Sequence, residues 1–327
     1  MKILVRLPNW LGDMVMAVGF MNQLQQVYPE AKISVIAKKG IHELLPFFPP
    51  LHQQYVFNKE DYKGVRGAWR FGKEIRKQEK YDLFFCLPDS LSSAAMARAT
   101  RAKKRIGFKK EARHLLLTHA YTKPEGLHRA EEYTALLEMF TGQTLKKPSV
   151  VLQHAIPKQN HVVVNINSEA ASRRLTIGKA IDLINTLRSA IPDKIVLIGA
   201  PKEKPYIDQV YAKLAYIDGI ENKAGRTTLP ELTALLASAQ LLLTTDSGPA
   251  HLANALKTHT VVLFGAGNEA NTAPYNRDYR TVIRLGQLSC EPCLKNVCVR
   301  YDIPQCLERL SASMIISHAI AHLKQTS

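Results

Sequence analysis

Long apolar runs are missing from this 327-residue chain. No stretch approaches the roughly 20 consecutive apolar residues that a bilayer-spanning helix needs. The start, Met1-Lys2-Ile3-Leu4-Val5-Arg6, returns to charge at once, which reads as a strand rather than a signal peptide. Glycine fingerprints are missing too. No Gly-x-Gly-x-x-Gly and no Gly-x-x-x-x-Gly-Lys-Ser/Thr follows any predicted strand, so dinucleotide-binding and P-loop readings lose their main support. No Asp-x-Asp suggests a carboxylate-held divalent cation, and no internal repeat or low-complexity segment is present. What is there, 46% hydrophobic and 22% charged residues, is the composition of a soluble globular protein. The length suits two domains of about 150 residues each, and a cytoplasmic location is expected.

Acid is in short supply. Against 44 Lys+Arg stand 28 Asp+Glu, a net charge of +16. The excess is uneven: residues 1–155 hold 25 basic against 14 acidic residues, and the remainder 19 against 14. The densest segment, Arg98–Arg113, carries Arg98, Arg101, Lys103, Lys104, Arg105, Lys109, Lys110 and Arg113 against Glu111 alone. Such an excess implies an anionic partner, either a membrane surface or a phosphorylated glycolipid. Nucleic acid is disfavoured because no binding module accompanies the segment. A solvated basic face with no partner would look the same.

Strand and helix patterns alternate along nearly the whole chain, which predicts an α/β architecture with parallel sheets. Strands are expected at Lys2–Leu7, Ile33–Ala37, Tyr81–Leu87, Arg105–Phe108 and Leu115–Leu117. Helices are expected at Gly12–Tyr28, after a Ser90 or Ser92 cap, and over 128–140. The rhythm breaks between Thr141 and Asn160, where Gly142, Pro148 and Pro157 fall without a period, and this places a domain junction near residue 155. The expected domains are thus 1–155 and 156–327. Alternation resumes with strands at His161–Ile166, Lys194–Ile198, 240–244 and 259–264, and helices near 176–191, 203–214 and 229–237. A last helix at 311–323 is a candidate to pack back on the first domain.

The most informative segment is Thr244-Thr245-Asp246-Ser247-Gly248-Pro249-Ala250-His251. It joins an apolar strand to a helix, with Asp246 or Ser247 as the cap and Gly248 allowing a tight turn. Such a junction offers free backbone N–H groups and a positive dipole end to a phosphate, and His251 can add a donor. An ordinary capped helix after a core strand reads the same way. In Pro8-Asn9-Trp10-Leu11-Gly12-Asp13, Asp13 opens a helix at a strand's carboxyl end, where a carboxylate can act as a general base or simply as a cap. Arg173 and Arg174 precede a helix and can clamp a diphosphate. Glu203, beyond Gly199-Ala200-Pro201, suits a pair of ribose hydroxyls, though a helix-starting acid also favours the dipole.

Four of the five cysteines cluster as Cys290-x-x-Cys293, Cys298 and Cys306. Structural zinc, buried structural thiols and a redox-labile pair all fit that spacing, while no adjacent base supports a catalytic role.

Taken together, Leu11-Gly12-Asp13-Met14-Val15-Met16, Ala224-Gly225-Arg226-Thr227-Thr228-Leu229-Pro230-Glu231-Leu232, Thr245–Ala253 and Val262-Leu263-Phe264-Gly265 resemble the ADP-heptose:lipopolysaccharide heptosyltransferases of glycosyltransferase family 9. The Cys-containing tail is similar to the heptosyltransferase II branch. The resemblance implies a GT-B fold, two Rossmann-like domains with parallel sheets facing across a cleft, the first taking the lipopolysaccharide core acceptor and the second the nucleotide-sugar. It also implies inverting transfer of a heptose with Asp13 as base, and a protein peripherally associated with the inner membrane. Nucleotide-sugar contacts would come from Gly12, Arg173, Glu203, Thr245, Asp246, Ser247, Gly248 and His251, and acceptor contacts from Lys63 and Arg129. No cofactor is implied beyond the ADP-sugar substrate. One departure concerns Arg173-Arg174-Leu175-Thr176, where many members have Lys-Arg-Trp-Pro: the cation is kept and the aromatic is not. The alternatives are another nucleotide-sugar GT-B enzyme, including a 2-epimerase, and a non-catalytic polyanion-binding protein.

Overall fold

The computed structural model of the chain describes residues 1–154 and 156–326, and these form two compact units, Met1–Gln153 and His154–Ser327. Ala155, where the sequence places the domain junction, lies outside the described residues.

In the first unit the strands are β1 (Lys2–Arg6), β2 (Lys32–Lys38), β3 (Gln53–Phe57), β4 (Leu83–Cys86), β5 (Lys104–Phe108) and β6 (His119–Tyr121), and the α-helices are α1 (Leu11–Val27), α2 (Gly64–Gln78), α3 (Leu91–Thr100) and α4 (Arg129–Thr141). All strands pair in parallel, in the order β3-β2-β1-β4-β5-β6. A parallel sheet covered on both faces demands continuous apolar strands, and Ile3, Leu4 and Val5 of β1 are fully buried. The chain runs first to one side of β1 and then to the other, so a topological switch point lies at the carboxyl ends of β1 and β4, the usual ligand position in such sheets.

The second unit repeats this arrangement with β7 (His161–Asn165), β8 (Lys194–Leu197), β9 (Ile220–Asn222), β10 (Leu241–Thr245), β11 (His259–Phe264) and β12 (Arg280–Arg284) in the order β12-β11-β10-β7-β8-β9. Its switch point lies between β7 and β10. The helices are α5 (Ile177–Ala190), α6 (Lys204–Tyr211), α7 (Leu229–Ser238), α8 (Gly248–Ala255), the short α9 (Glu269–Thr272) and α10 (Gln305–Glu308), and α11 (Ala312–Thr326). Ile315, Ile316, Ala319 and Leu323 of α11 join Leu183, Ile184 and Leu187 of α5 in this unit's own core.

Two local differences from the sequence reading have physical causes. Leu115–Leu117, expected as a strand, instead forms the end and C-cap of a 3₁₀ turn over Glu111–Leu116, and the strand comes later, at β6. The turn forms because Arg113 is drawn inward: it is 1% exposed and donates to the carbonyls of Phe108 (2.6 Å) and Pro88 (3.0 Å). The sequence pattern also left β3 and α2 unread. α2 carries Gly67 and Gly72, poor helix formers, and at Gly72 a Cβ would stand 2.4 Å from the Met96 carbonyl oxygen. There the glycine serves close packing of α2 on α3.

Candidate functional site

At the first switch point, the chain leaves β1 through a loop fixed from below by Arg6. This buried guanidinium donates to the carbonyls of Leu7 (2.7 Å) and Ile36 (3.0 Å) and to the side-chain oxygen of Asn9. Its burial brings its pKa down to about 10. Trp10 then starts α1, its carbonyl accepting from Met14 N–H at 2.9 Å, and Asp13 stands in the first turn.

Asp13 belongs to a chain of charges alternating in sign. Arg129 Nε lies 3.7 Å from Asp13 Oδ1, and Arg129 Nη1 donates to Glu132 Oε2 at 2.7 Å. Lys123 Nζ reaches the same Glu132 oxygen at 2.8 Å and Asp89 at 3.2 Å, and Arg113 Nη1 lies 3.6 Å from Asp89. Asp89 follows β4, Lys123 follows β6 and Arg129 opens α4, so the carboxyl ends of several strands converge on one carboxylate. Burial pushes the Asp13 pKa up, Arg129 and then Lys123 pull it down, and Glu132 and Asp89 push it up again, for a net rise. The side chain keeps 29% exposure. A partly desolvated, accessible carboxylate of raised basicity is what proton abstraction from a hydroxyl requires. Of the two acceptor-site candidates, Arg129 sits in this network. Lys63 is exposed at the start of α2 and forms none of its ion pairs.

The second switch point is built mostly from uncharged groups. Asn165 Nδ2 donates to Ser247 Oγ (2.8 Å), Thr244 Oγ1 (3.0 Å) and the Asn167 carbonyl (3.0 Å). Thr245 Oγ1 donates to that same carbonyl at 2.9 Å, and Ser168 Oγ to the Asp246 carbonyl at 3.2 Å. These bonds tie the ends of β7 and β10 together. The expected side-chain cap is not made: Ser247 is the N-cap of α8, but its hydroxyl is engaged with Asn165 and the Thr245 carbonyl. The helix therefore presents its first N–H groups without a capping side chain, the condition for binding an anion. Gly248 and the buried His251 lie in that turn.

Asp246 is 4% exposed and pairs with Arg173 Nη1 at 3.0 Å. Burial pushes its pKa up, while Arg173 and Arg284 oppose this. The pairing needs Gly267, where a Cβ would stand 2.2 Å from the Asp246 carboxylate. Arg174 points elsewhere, donating to the Ser168 carbonyl (3.1 Å) and lying 5.3 Å from the centre of the Tyr206 ring. Glu203 is buried, with Oε2 accepting from Asn167 Nδ2 (2.7 Å) and from Ala200 N–H (2.8 Å), so one carboxylate oxygen serves as a turn cap. Gly12, grouped with these residues in the sequence reading, belongs to α1 of the first unit.

Asn165 and Asn167 were missed by motif reading. Their signal was two amides set two residues apart, alternating with Ile166 directly after the apolar run Val162-Val163-Val164. For the cysteine segment, the sequence leaves zinc, structural thiols and a redox-labile pair open. Cys290, Cys293, Cys298 and Cys306 are free thiols lining one small cavity with Glu291 and Tyr301. Among the described residues no group of three or more His, Cys, Asp or Glu is arranged to hold a metal ion. The segment braces the turns on either side of the Arg173–Asp246 pair. Ser172 N–H donates to the Asn296 carbonyl (3.0 Å) and its hydroxyl to the Lys295 carbonyl (2.5 Å), while Leu294 N–H donates to the Ala266 carbonyl (2.9 Å). Both the turn carrying Arg173 and the turn against Asp246 are pinned this way.

Residues 68–175 and 181–303 match the profile of glycosyltransferase family 9 (heptosyltransferase). The chain is 29% identical over 315 residues to lipooligosaccharide heptosyltransferase 2 of Haemophilus ducreyi, covering 87% of this chain and 89% of that one. It is 27% identical to lipopolysaccharide heptosyltransferase 2 of Escherichia coli, covering 87% and 88%. The solved structure of E. coli ADP-heptose lps heptosyltransferase II superposes with a TM-score of 0.84 at 25% identity, over 100% of this chain and 99% of that one. The α/β fold of two parallel-sheet units is thus that of the GT-B heptosyltransferases, and the protein is a glycosyltransferase. The chain belongs to glycosyltransferase family 9, the heptosyltransferase family.

Proposed function

We propose that this enzyme transfers a heptose from ADP-heptose to the inner core of lipopolysaccharide with inversion at the anomeric carbon. The observation that carries the reading is the Asp13 carboxylate at the first switch point, raised in basicity by burial and held by Arg129. The first unit takes the acceptor and the second the donor. Asp13 removes the proton from an acceptor hydroxyl as that oxygen forms a bond to the anomeric carbon. The bond from that carbon to the diphosphate oxygen breaks on the opposite side, and the electron pair leaves with ADP. The departing charge is met by Arg173, by the N–H groups opening α8 and by His251. Glu203 and Asn167 supply acceptor oxygens to the ribose hydroxyls.

No helix among the described residues is long and apolar enough to cross a membrane, so contact with a membrane-borne acceptor falls to surface residues. We place the enzyme in the cytoplasm, drawn to the anionic inner-membrane surface by the basic first unit.

The test is a mass-spectrometric screen of ADP- and UDP-sugars against heptose-truncated lipopolysaccharide acceptors, with calorimetry of ADP and UDP binding. Addition of one heptose from ADP-heptose, with ADP bound in preference to UDP, is expected. Product from a UDP-sugar alone, epimerisation of a sugar nucleotide, or no product from any donor would overturn the reading.

A further inference from the structure

We propose that Trp10 and Lys38 form a platform for an anionic sugar of the acceptor. The indole stacks on the C–H face of a pyranose ring, and the ammonium receives that sugar's negative charge. This deepens the transferase reading and rests on it.

The first observation is exposure on a rigid support. Trp10 leaves 59% of its surface open, although the loop that carries it is tied to the buried Arg6 through Asn9 and the Leu7 carbonyl. A large apolar ring gains by burial, so an open ring on a fixed loop marks a contact surface. The second observation is position. Trp10 is the N-cap of α1 and Asp13 stands three residues on, in the first turn of the same helix. A sugar stacked on Trp10 is therefore held within one helical turn of the carboxylate proposed to take the acceptor proton.

The third observation is charge. Lys38 closes β2, the neighbour of β1 in the sheet, and its Nζ lies 5.8 Å from the centre of the Trp10 ring. The cations around Asp13 are committed: Arg129, Lys123 and Arg113 all face carboxylates. Lys38 forms no ion pair among the described residues, and it is only half-buried. Its charge is available to a ligand. A neutral sugar would use the ring alone, whereas a sugar bearing a carboxylate or a phosphate uses both groups.

The chain has two tryptophans, Trp10 and Trp69, so Trp69→Phe leaves Trp10 as the sole indole reporter. Titrating that variant with deacylated, heptose-truncated core oligosaccharide should change its emission saturably, and a neutral oligosaccharide should not. Lys38→Ala in the same background should weaken the saturation about three- to tenfold. In steady-state assays Trp10→Ala should raise the acceptor KM by about the same factor at an unchanged donor KM, with Trp10→Phe recovering most of the loss. Phosphatase treatment of the oligosaccharide identifies the charge: if the Lys38 effect disappears it is a phosphate, and if it persists, a carboxylate. Unchanged emission while transfer proceeds, or a Trp10→Ala effect falling equally on the donor KM, would overturn the platform. No transfer by the wild-type chain with any donor would instead overturn the transferase reading, and the emission titration would still decide the platform.

Discussion

The two switch points share a strand order and differ in how they hold charge. Around Asp13, three carboxylates alternate with three cations, so each charge has an opposite neighbour and the cluster is close to neutral. Around α8, amides and hydroxyls make most of the bonds, and the charge in the turn itself is the Arg173–Asp246 pair. The difference suits the two tasks proposed for these sites. A base must keep a proton affinity set by its surroundings, and a ring of compensating charges holds that value steady. A site for a departing diphosphate must keep donors uncommitted, and Arg173 Nε is buried with no hydrogen-bond partner among the described residues, near the uncapped start of α8.

The comparison is broken most directly at Asp13. Asp13→Asn should reduce turnover by about 10²–10⁴-fold, the scale of general base catalysis, while ADP affinity stays within a few-fold. Near-normal turnover would remove Asp13 as the base. The pH dependence follows from the raised pKa. A proposed base acts when deprotonated, so kcat/KM should rise with pH through a limb above the ordinary aspartate range. Arg129→Ala removes the largest influence opposing burial and should move the limb further up. Stability carries the matching sign. A carboxyl whose folded pKa exceeds its unfolded value binds its proton more tightly when folded, so ionisation costs stability at neutral pH and the cost vanishes as pH falls through the folded pKa. Asp13→Asn should therefore melt a few degrees higher than wild type at neutral pH, the usual trade at a functional site.

The second site should break less completely. Arg173→Ala should weaken ADP binding by about 1.5–3 kcal/mol, the range for a hydrogen bond to a charged group. Arg174→Ala should do less, because that guanidinium already serves Ser168 and Tyr206. Equal losses by calorimetry, or the reverse order, would shift the diphosphate contact to Arg174. Replacing Cys290, Cys293, Cys298 and Cys306 together by serine should lower the melting temperature and leave the donor affinity of the folded fraction intact. The segment braces the site through backbone carbonyls at Lys295 and Asn296 and not through its thiols.

Much of this was legible in the sequence, because parallel strands buried on both faces announce themselves as short apolar runs, as at Ile3-Leu4-Val5 and Leu241-Leu242-Leu243. The placement of Asp13, Asp246 and Ser247 was legible because the loop and helix start that follow such a run mark the carboxyl edge of the sheet. Side-chain direction was not. Nothing in the sequence says that Ser247 turns toward Asn165 instead of capping α8, that Arg173 and Arg174 part company, or that Glu203 spends one oxygen on Ala200. These choices depend on neighbours distant in the chain. Nor does composition reveal that Arg113, counted among eight basic residues, is a core residue whose charge faces Asp89.

That misreading sharpens the smallest prediction. The Arg98–Arg113 segment is not one basic surface, because β5 runs through it. Lys103 and Lys104 lie at the strand's amino end, where Lys103 is paired with Asp82 at 2.7 Å and Lys104 lies 5.4 Å from the centre of the Phe140 ring. Lys109 and Lys110 lie at its carboxyl end, the edge that also carries Asp13, and the turn that follows them leaves Leu115 76% exposed. At about 3.3 Å per residue the two pairs stand roughly 16 Å apart, about twice the Debye length of roughly 8 Å at physiological salt. One flat anionic surface cannot draw on both pairs equally. Changing Lys109 and Lys110 to Gln should weaken sedimentation with anionic vesicles a few-fold and raise the KM for lipopolysaccharide by a similar factor, leaving the donor KM alone. The same change at Lys103 and Lys104 should do little to either. If the two double variants prove equivalent, or binding is insensitive to salt, then membrane attraction does not run through the edge that bears Asp13.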